Sequence, residues 1–186
     1  TLQSNIVGIG TQWECRNNLP QLRERYPQLR IMMSESECGN GSMDWAAGEH
    51  TFFLLSDNLG NGVDEYYNWN FILKDHGEST WGWKQNALIQ VDSQTRKMRL
   101  TPEYYAYKHF SHFVTPGSQM VGYAGREYSK TPVVVYKLAE GGEGKYLVAA
   151  GNFTDEASQI SVKIKGKYLN IRTEPHSFNS YIIRNK

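Results

Sequence analysis

The stretch Leu29-Arg30-Ile31-Met32-Met33-Ser34-Glu35-Ser36-Glu37-Cys38-Gly39 decides how the rest of the chain is interpreted. A short apolar run bounded by turn residues is typical of a buried strand, and this run ends in two carboxylates followed by Gly39-Asn40-Gly41. Barrel enzymes place their chemistry at the carboxyl ends of such strands, which makes Glu35 the first candidate for a catalytic group. The alternative is a carboxylate that only caps the helix predicted to follow.

The composition limits the class of protein. The 186 residues suffice for one sizeable domain or two small ones. A formal net charge of +1 gives no indication of a nucleic acid or an anionic membrane as partner. No run of about 18 apolar residues occurs, so no transmembrane helix is predicted. Aromatic residues make up 13% of the chain and crowd into residues 45–113, where they either fill a core or line a site that stacks on sugar rings.

The cysteines and histidines do not have the spacing of metal ligands, so no metal and no cofactor are predicted. His109 and His112 lie three residues apart on a predicted helix, but without a third ligand nearby we favour a structural role for both. Cys15 and Cys38 lie near predicted strand ends, and a disulfide between them remains open. Free buried thiols are the favoured interpretation.

Strands and helices alternate in the first two thirds of the chain. The predicted strands are residues 6–12, 29–34 and 63–73, and the predicted helices are residues 19–26, 44–58 and 101–115. Asn17 or Asn18 is the predicted cap of the first helix, and Asp44 that of the second. This alternation favours parallel strands joined by crossover helices.

Beyond Pro116-Gly117 the pattern changes to short strands separated by polar residues and glycines. The predicted strands are residues 119–124, 132–138, 145–151, 158–165, 168–173 and 179–184. No helix is predicted here, so this part is expected to be an all-β unit of the sandwich type. The sequence therefore predicts two domains, residues 1–117 and 118–186.

The carboxyl ends of parallel strands share one edge of a sheet, and functional residues gather there. The residues at the predicted ends are Gln12-Trp13-Glu14, then Glu35 and Glu37, then Asn68-Trp69-Asn70, with the loop to Asn86 beyond. Indole rings stack on sugar faces, amides bond hydroxyl groups, and a carboxylate can attack an anomeric carbon. The set therefore suits a carbohydrate substrate.

Several segments resemble glycoside hydrolase family 30, which includes glucosylceramidases and endo-β-1,6-glucanases. Met33–Gly39 resembles the strand that carries the nucleophile of that family, and Val7–Trp13 resembles its sixth barrel strand. Asn68–Asn70, Gly77–Asn86 and Pro102–Val114 resemble its eighth strand, the loop that follows and the last helix. The resemblance covers nearly the whole chain in order and ends in the family's β-sandwich.

The resemblance implies the carboxyl-terminal part of a (β/α)8 TIM barrel, about strands six to eight, followed by a β-sandwich domain. It also implies a retaining β-glycoside hydrolase with Glu35 as the nucleophile and a secreted or periplasmic location. Such enzymes hold two carboxyl groups about 5–5.5 Å apart, the second acting as acid and then as base. In the family that residue lies on strand four, which is expected upstream of this chain. The missing barrel strands are thus a predicted partner, and the isolated chain is predicted to be inactive.

Four residues are predicted to contact the sugar. Trp13 and Trp69 are candidates for a stacking platform, with packing as the alternative for each. Asn86 is expected to bond a hydroxyl group, and Trp83 is a further candidate that could instead pack the long loop, as could Trp81.

Two other carboxylates lie near the predicted site. Glu37 is interpreted as a loop residue or a partner of the site rather than a catalytic group. Glu14 either lines a sugar subsite or faces solvent.

The sequence is compatible with more than one function. The expected substrates are a β-glucan, a glucoside or glucosylceramide, and the glucan is slightly favoured because the loop Lys74–Asn86 is polar and lacks an obvious apolar surface for a lipid tail. A non-catalytic carbohydrate-binding module or an inactive fragment is the alternative, although a binding module rarely needs crossover helices.

Overall fold

The computed structural model describes residues 5–125, 130–139 and 144–184. The chain forms two compact units, Thr1–Lys108 and His109–Lys186. The strands are β1 (Gly8–Gln12), β2 (Arg30–Glu35), β3 (Glu65–Tyr66), β4 (Ile72–Lys74), β5 (Ile89–Val91), β6 (Met98–Leu100), β7 (Gln119–Ala124), β8 (Val133–Lys137), β9 (Lys145–Asn152), β10 (Ser158–Ile164), β11 (Lys167–Thr173) and β12 (Ser177–Arg184). The helices are α1 (Leu19–Arg25), α2 (Trp45–Gly60) and α3 (Pro102–Ser111), and a 3-10 helix covers Trp13–Asn18.

A parallel sheet in the order β1-β2-β3 organises the first unit, with α1 and α2 as the crossover segments between its strands. The apolar run in β2 explains its central position, because Ile31 and Met33 are almost fully buried. They pack with Leu19 from α1 and with Val63, so one face of the sheet is covered by the helical layer. The predicted alternation of strands and helices is confirmed for these elements.

The prediction of one strand over residues 63–73 is wrong. β3 contains two residues, and after Tyr67 the chain leaves the sheet at Asn68–Phe71, where the Asn68 side-chain amide donates to the Asn70 carbonyl at 2.6 Å. β4 then joins a second sheet, parallel to β5, which is in turn antiparallel to β6. Three-residue strands carry too little of a period-two pattern to be separated by sequence.

Helix α2 begins as predicted, because the Asp44 side chain accepts a hydrogen bond of 2.9 Å from the Ala47 amide and satisfies an N–H of the first turn. Asn18, one of the two predicted caps, is the N-cap residue of α1, but its side chain makes no capping hydrogen bond. The preceding 3-10 helix leads directly into α1 and supplies its start.

The second unit contains the strands that the sequence predicts. β12-β9-β8-β7 form an antiparallel sheet, and β10 and β11 form a separate antiparallel pair. Val135, Val148 and Ala150 of the large sheet are buried together with Val162 and Ile171 of the pair, which fits a sandwich with one apolar core. The division into two domains at residue 117 stays a prediction.

Two remaining features bear on the predictions. Within the described ranges, each helix is too short or too polar to cross a bilayer. Both cysteines are free, as favoured, but Cys15 is exposed and Cys38 is half-buried, so the expectation of buried thiols is wrong. Cys15 is exposed because the 3-10 helix that carries it contains no buried residue.

Candidate active site

Glu35, the last residue of β2, has a carboxylate held from the neighbouring strand. Its Oε1 accepts a hydrogen bond of 2.9 Å from the Trp13 indole Nε1, and its Oε2 accepts one of 3.2 Å from Gln12 Nε2. Each oxygen therefore has a donor, and both donors come from the end of β1. This arrangement fixes the orientation of a carboxylate that the sequence places at a strand end.

The backbone at the end of β1 makes this contact achievable. Thr11 pairs with Met33, but the register then shifts and Gln12 pairs with Glu35. Trp13 follows with φ 49°, a left-handed conformation that is unfavourable for a tryptophan. With this backbone conformation the indole N–H reaches the Glu35 carboxylate. The role of Trp13 shown by the structure is thus a hydrogen bond to Glu35, while stacking on a sugar stays a prediction for its half-exposed ring.

Trp69 lies in the segment that follows β3, at the same edge of the sheet. Tyr66 pairs with Met33, and the Tyr67 amide continues the ladder with a hydrogen bond of 3.0 Å to the Met33 carbonyl. Trp69 comes two residues later with half of its surface exposed. Its predicted contact with a sugar ring stays a prediction, and its exposure leaves the ring free to make that contact.

Asn86 is buried and joins separate segments of the first unit. Its Oδ1 accepts from the backbone N–H groups of Gly41 at 2.7 Å and of Met43 at 3.4 Å, and its Nδ2 donates to Glu103 at 3.3 Å. The backbone N–H of Asn86 donates to the Cys38 carbonyl at 2.6 Å. Asn86 therefore holds the loop that follows β2, and its predicted contact with a sugar hydroxyl stays a prediction.

Glu103 of α3 is the buried acid behind Asn86. Its Oε1 accepts from Asn86 and, at 3.1 Å, from the Thr51 hydroxyl of α2, whereas its Oε2 is buried without a hydrogen-bond partner. Burial raises the pKa of Glu103 to about 7, and the charge of Asp44 also raises it. The hydrogen bonds from Asn86 and Thr51 and the charge of His50 lower the pKa but do not outweigh burial. The carboxyl group is thus close to half-protonated at neutral pH.

Trp81 and Trp83 belong to a hairpin-like loop between β4 and β5. Their ring centroids lie 5.4 Å apart with an interplanar angle of 33°. The exposed fractions are 78% for Trp81 and 55% for Trp83, so neither packs the loop interior. The indole rings project from an otherwise polar turn, and the expectation that Lys74–Asn86 lacks an obvious apolar surface for a lipid tail stays a prediction.

Glu37 is engaged by α2 rather than by Glu35. Its Oε2 lies 2.7 Å from His50 Nε2. This hydrogen bond lowers the pKa of Glu37, although burial acts in the opposite direction. Glu14 is exposed on the 3-10 helix. The interpretation of Glu37 as a loop residue or partner, and the two alternatives for Glu14, stay predictions.

Some contacts in this region could not be predicted from the sequence. Gln12 was recognisable as an amide at a strand end, but its contact with Glu35 depends on the register shift. Tyr66 donates a hydrogen bond of 2.6 Å to the Ser36 hydroxyl, and burial raises the pKa of its phenol. Glu103 gave no signal, because an acid in the first turn of a helix is an ordinary feature.

The chemistry available at this edge is that of a carboxylate. In the described part of the chain, the histidine, cysteine and acidic side chains form no group of three that could hold a metal. An oriented carboxylate beside exposed indole rings suits attack on the electrophilic carbon of a flat, hydroxylated ligand.

A family profile matches most of the first unit. The profile described as "Glycosyl hydrolase family 30 TIM-barrel domain" aligns with residues 4–114, which include β1 to β6 and the whole of the region around Glu35.

Curated relatives match over about two thirds of the chain. "Putative glucosylceramidase 1" of Caenorhabditis elegans is 26% identical over 132 residues, which is 64% of this chain and 25% of the relative. "Putative glucosylceramidase 2" of the same organism is 26% identical over 120 residues, or 60% of this chain and 23% of the relative. The chain thus spans about a quarter of the length of the curated relatives it matches.

Solved structures share the fold over nearly all of the chain. SrfJ from Salmonella typhimurium superposes with a TM-score of 0.83 at 19% identity, covering 98% of this chain and 42% of that protein. The endo-β1,6-glucanase BT3312 superposes with a TM-score of 0.80 at 17% identity, covering 99% of this chain and 42% of that protein.

Proposed function

Because the chain belongs to glycoside hydrolase family 30, we propose that it supplies the nucleophile, Glu35, of a retaining β-glycosidase that acts on β-glucosidic linkages. The observation that carries the proposal is the carboxylate at the end of β2, held by the Trp13 indole and the Gln12 amide at 2.9 and 3.2 Å. Two donors on one carboxylate keep it in a single orientation, which is what attack at a defined carbon requires.

The proposed reaction has two steps. A carboxylate oxygen of Glu35 forms a bond to the anomeric carbon while the bond from that carbon to the leaving oxygen breaks, and the leaving oxygen takes a proton from an acid residue. Water then attacks the same carbon, gives its proton back to that residue, and releases Glu35. The second carboxyl group is proposed to come from barrel strands upstream of this chain.

The substrate class is proposed from the relatives and the exposed rings. Relatives are named as glucosylceramidases and an endo-β1,6-glucanase, so a β-linked glucosyl unit is the shared feature. Trp69 is proposed to stack on this unit. A glucan is slightly favoured over glucosylceramide, because the turn that carries the exposed Trp81 and Trp83 rings is otherwise polar.

The first prediction tests the nucleophile in the enzyme that contains this chain. Incubation with a ring-fluorinated β-glucoside that traps glycosyl-enzymes should add the mass of one fluoroglucosyl group to the peptide with Glu35, as read by mass spectrometry. Glu35→Gln should lose nearly all hydrolysis and all labelling, whereas Glu24→Gln, which changes an exposed carboxylate of α1, should keep both. Labelling on another carboxylate, or wild-type turnover by Glu35→Gln, would refute the assignment.

A further inference from the structure

We propose that Trp81 and Trp83 form an outer sugar-binding platform that holds a β-linked gluco-oligosaccharide beyond the glucosyl unit at Glu35. The inference rests on the proposed function for its starting point and extends it to a polymeric substrate. "Outer platform" here means the indole rings of Trp81 and Trp83.

The two rings form one exposed surface. They lie on alternate residues, and their centroids are 5.4 Å apart with planes only 33° from parallel. Gly82 between them has φ 86° and open space where a side chain would stand, so nothing at that residue screens the rings. The rings pack obliquely against each other and leave much of the surface of the pair exposed, where the C–H face of a sugar ring can pack.

The turn that carries the rings is ordered by its own backbone. The Ser79 amide donates to the Trp83 carbonyl at 2.8 Å, the Gly82 amide donates to the Ser79 carbonyl at 3.0 Å, and Glu78 forms an antiparallel bridge with Lys84. Two large apolar side chains are thus held out of the interior by a hydrogen-bonded turn. Holding the rings in place before binding lowers the entropy lost when a ligand is bound.

The platform is tied to the loop after Glu35. The backbone N–H of Asn86 donates to the Cys38 carbonyl at 2.6 Å, and the side-chain Oδ1 of Asn86 accepts from the backbone N–H of Gly41 at 2.7 Å. Cys38 lies three positions after Glu35, and Asn86 lies three positions after Trp83. Three residues of extended chain reach at most about 10 Å. The platform is therefore within the span of a short oligosaccharide from the nucleophile.

The chemistry of the turn favours a sugar chain over a lipid tail. The neighbours of the rings are Glu78, Ser79, Thr80 and Lys84, which can bond hydroxyl groups, and the turn contains no aliphatic side chain. An acyl chain would instead require a continuous apolar lining. An anionic lipid surface is also disfavoured, because Glu78 offsets the charge of Lys84.

The second prediction measures binding by the 186-residue chain itself. Titration calorimetry with a linear β-gluco-oligosaccharide should show binding that weakens about tenfold in Trp81→Ala and in Trp83→Ala, with a larger loss in the double variant. Trp83→Phe should keep most of the affinity because it retains a ring. Tyr168→Ala, which removes an exposed aromatic residue of the second unit, should bind like the wild type.

The outcomes separate the platform from the catalytic proposal. Binding that depends on both tryptophans and persists in Glu35→Gln supports the platform even if trapping at Glu35 fails. No binding by the wild-type chain, or equal binding by the double variant, overturns the platform while leaving the trapping result untouched. Binding to glucosylceramide vesicles but not to the oligosaccharide, lost in the double variant, also overturns it by assigning the rings to a lipid.

Discussion

At the scale of single residues, the contacts of Glu35 show how a candidate nucleophile is prepared. Trp13 was expected either to stack on a sugar or to pack, yet its N–H donates to the Glu35 carboxylate at 2.9 Å. The left-handed backbone of Trp13 is part of that arrangement. Such strain persists where neighbouring structure enforces it, and it is found preferentially at functional sites.

A buried acid gives the third prediction. Between about pH 4.5 and 7 the unfolded chain releases the Glu103 proton while the folded chain retains it, so the free energy of unfolding should fall as pH rises through this range. The difference between the two pKa values corresponds to about 3 kcal/mol. Urea unfolding at pH 5 and pH 8 should show this fall in the wild type and not in Glu103→Gln.

The control for this measurement is Glu14→Gln, which changes an exposed carboxylate and should keep the wild-type fall. An equal pH dependence in Glu103→Gln and in the wild type would contradict the raised pKa. The charges of His50 and Asp44 also act on Glu103. His50→Gln should keep the fall in the free energy of unfolding, which would show that His50 does not cause it.

At the scale of elements, the loop between β2 and α2 links Glu35, the proposed nucleophile, to the rest of the first unit. Asn86 fixes the loop through Gly41 and Met43, and Asp44 then starts α2. Glu103 supports Asn86 from α3. The position of the segment after Glu35 thus depends on three elements rather than on its own sequence.

The fourth prediction compares two glycines that have nearly the same φ angle. Gly41 has φ 84° and Gly82 has φ 86°, but a side chain on Gly41 would collide with the His76 carbonyl and with Lys84 Cβ at 2.7 Å. Gly82→Ala should therefore lose about 1–2 kcal/mol from backbone strain alone. Gly41→Ala should lose about 3 kcal/mol or more in urea unfolding, because backbone strain and collision add.

Comparable losses in the two variants would show that the loop moves aside at Gly41 without cost. In that case the loop is not held in a single position, and the link from Asn86 to the segment after Glu35 would be weaker than the hydrogen bonds indicate.

At the scale of the whole molecule, the parallel sheet of the first unit is open. Among the described residues it contains β1, β2 and β3, with β1 and β3 at its edges. A TIM barrel closes eight parallel strands and so has no free edges. The chain covers 42% of each of the two superposed proteins, which fits a part of such a barrel.

The open sheet leads to the fifth prediction. The purified 186-residue chain should not hydrolyse an aryl β-glucoside, because the second carboxyl group is proposed to lie on other strands. The same chain joined to the preceding strands of its barrel should be active, and Glu35→Gln should abolish that activity. Clear turnover by the isolated chain that disappears in Glu35→Gln would show that it contains both groups.

Features that depend on neighbouring residues along the chain were predictable from the sequence. The apolar run before Glu35 predicted β2, and Asp44 predicted the start of α2. Alternating β-branched residues predicted the strands of the second unit, and the ordered motifs predicted the family, which the profile match confirms. Local periodicity and capping chemistry act over a few residues, so one sequence is sufficient to detect them.

The contacts that hold the site became visible only in the folded chain. The hydrogen bonds from Trp13 to Glu35 and from Thr51 to Glu103 join residues 22 and 52 positions apart. The raised pKa of Glu103 and the exposure of the Trp81–Trp83 pair likewise depend on what surrounds each side chain. Burial and hydrogen bonding are properties of the packed molecule, so no local pattern in the sequence could have predicted them.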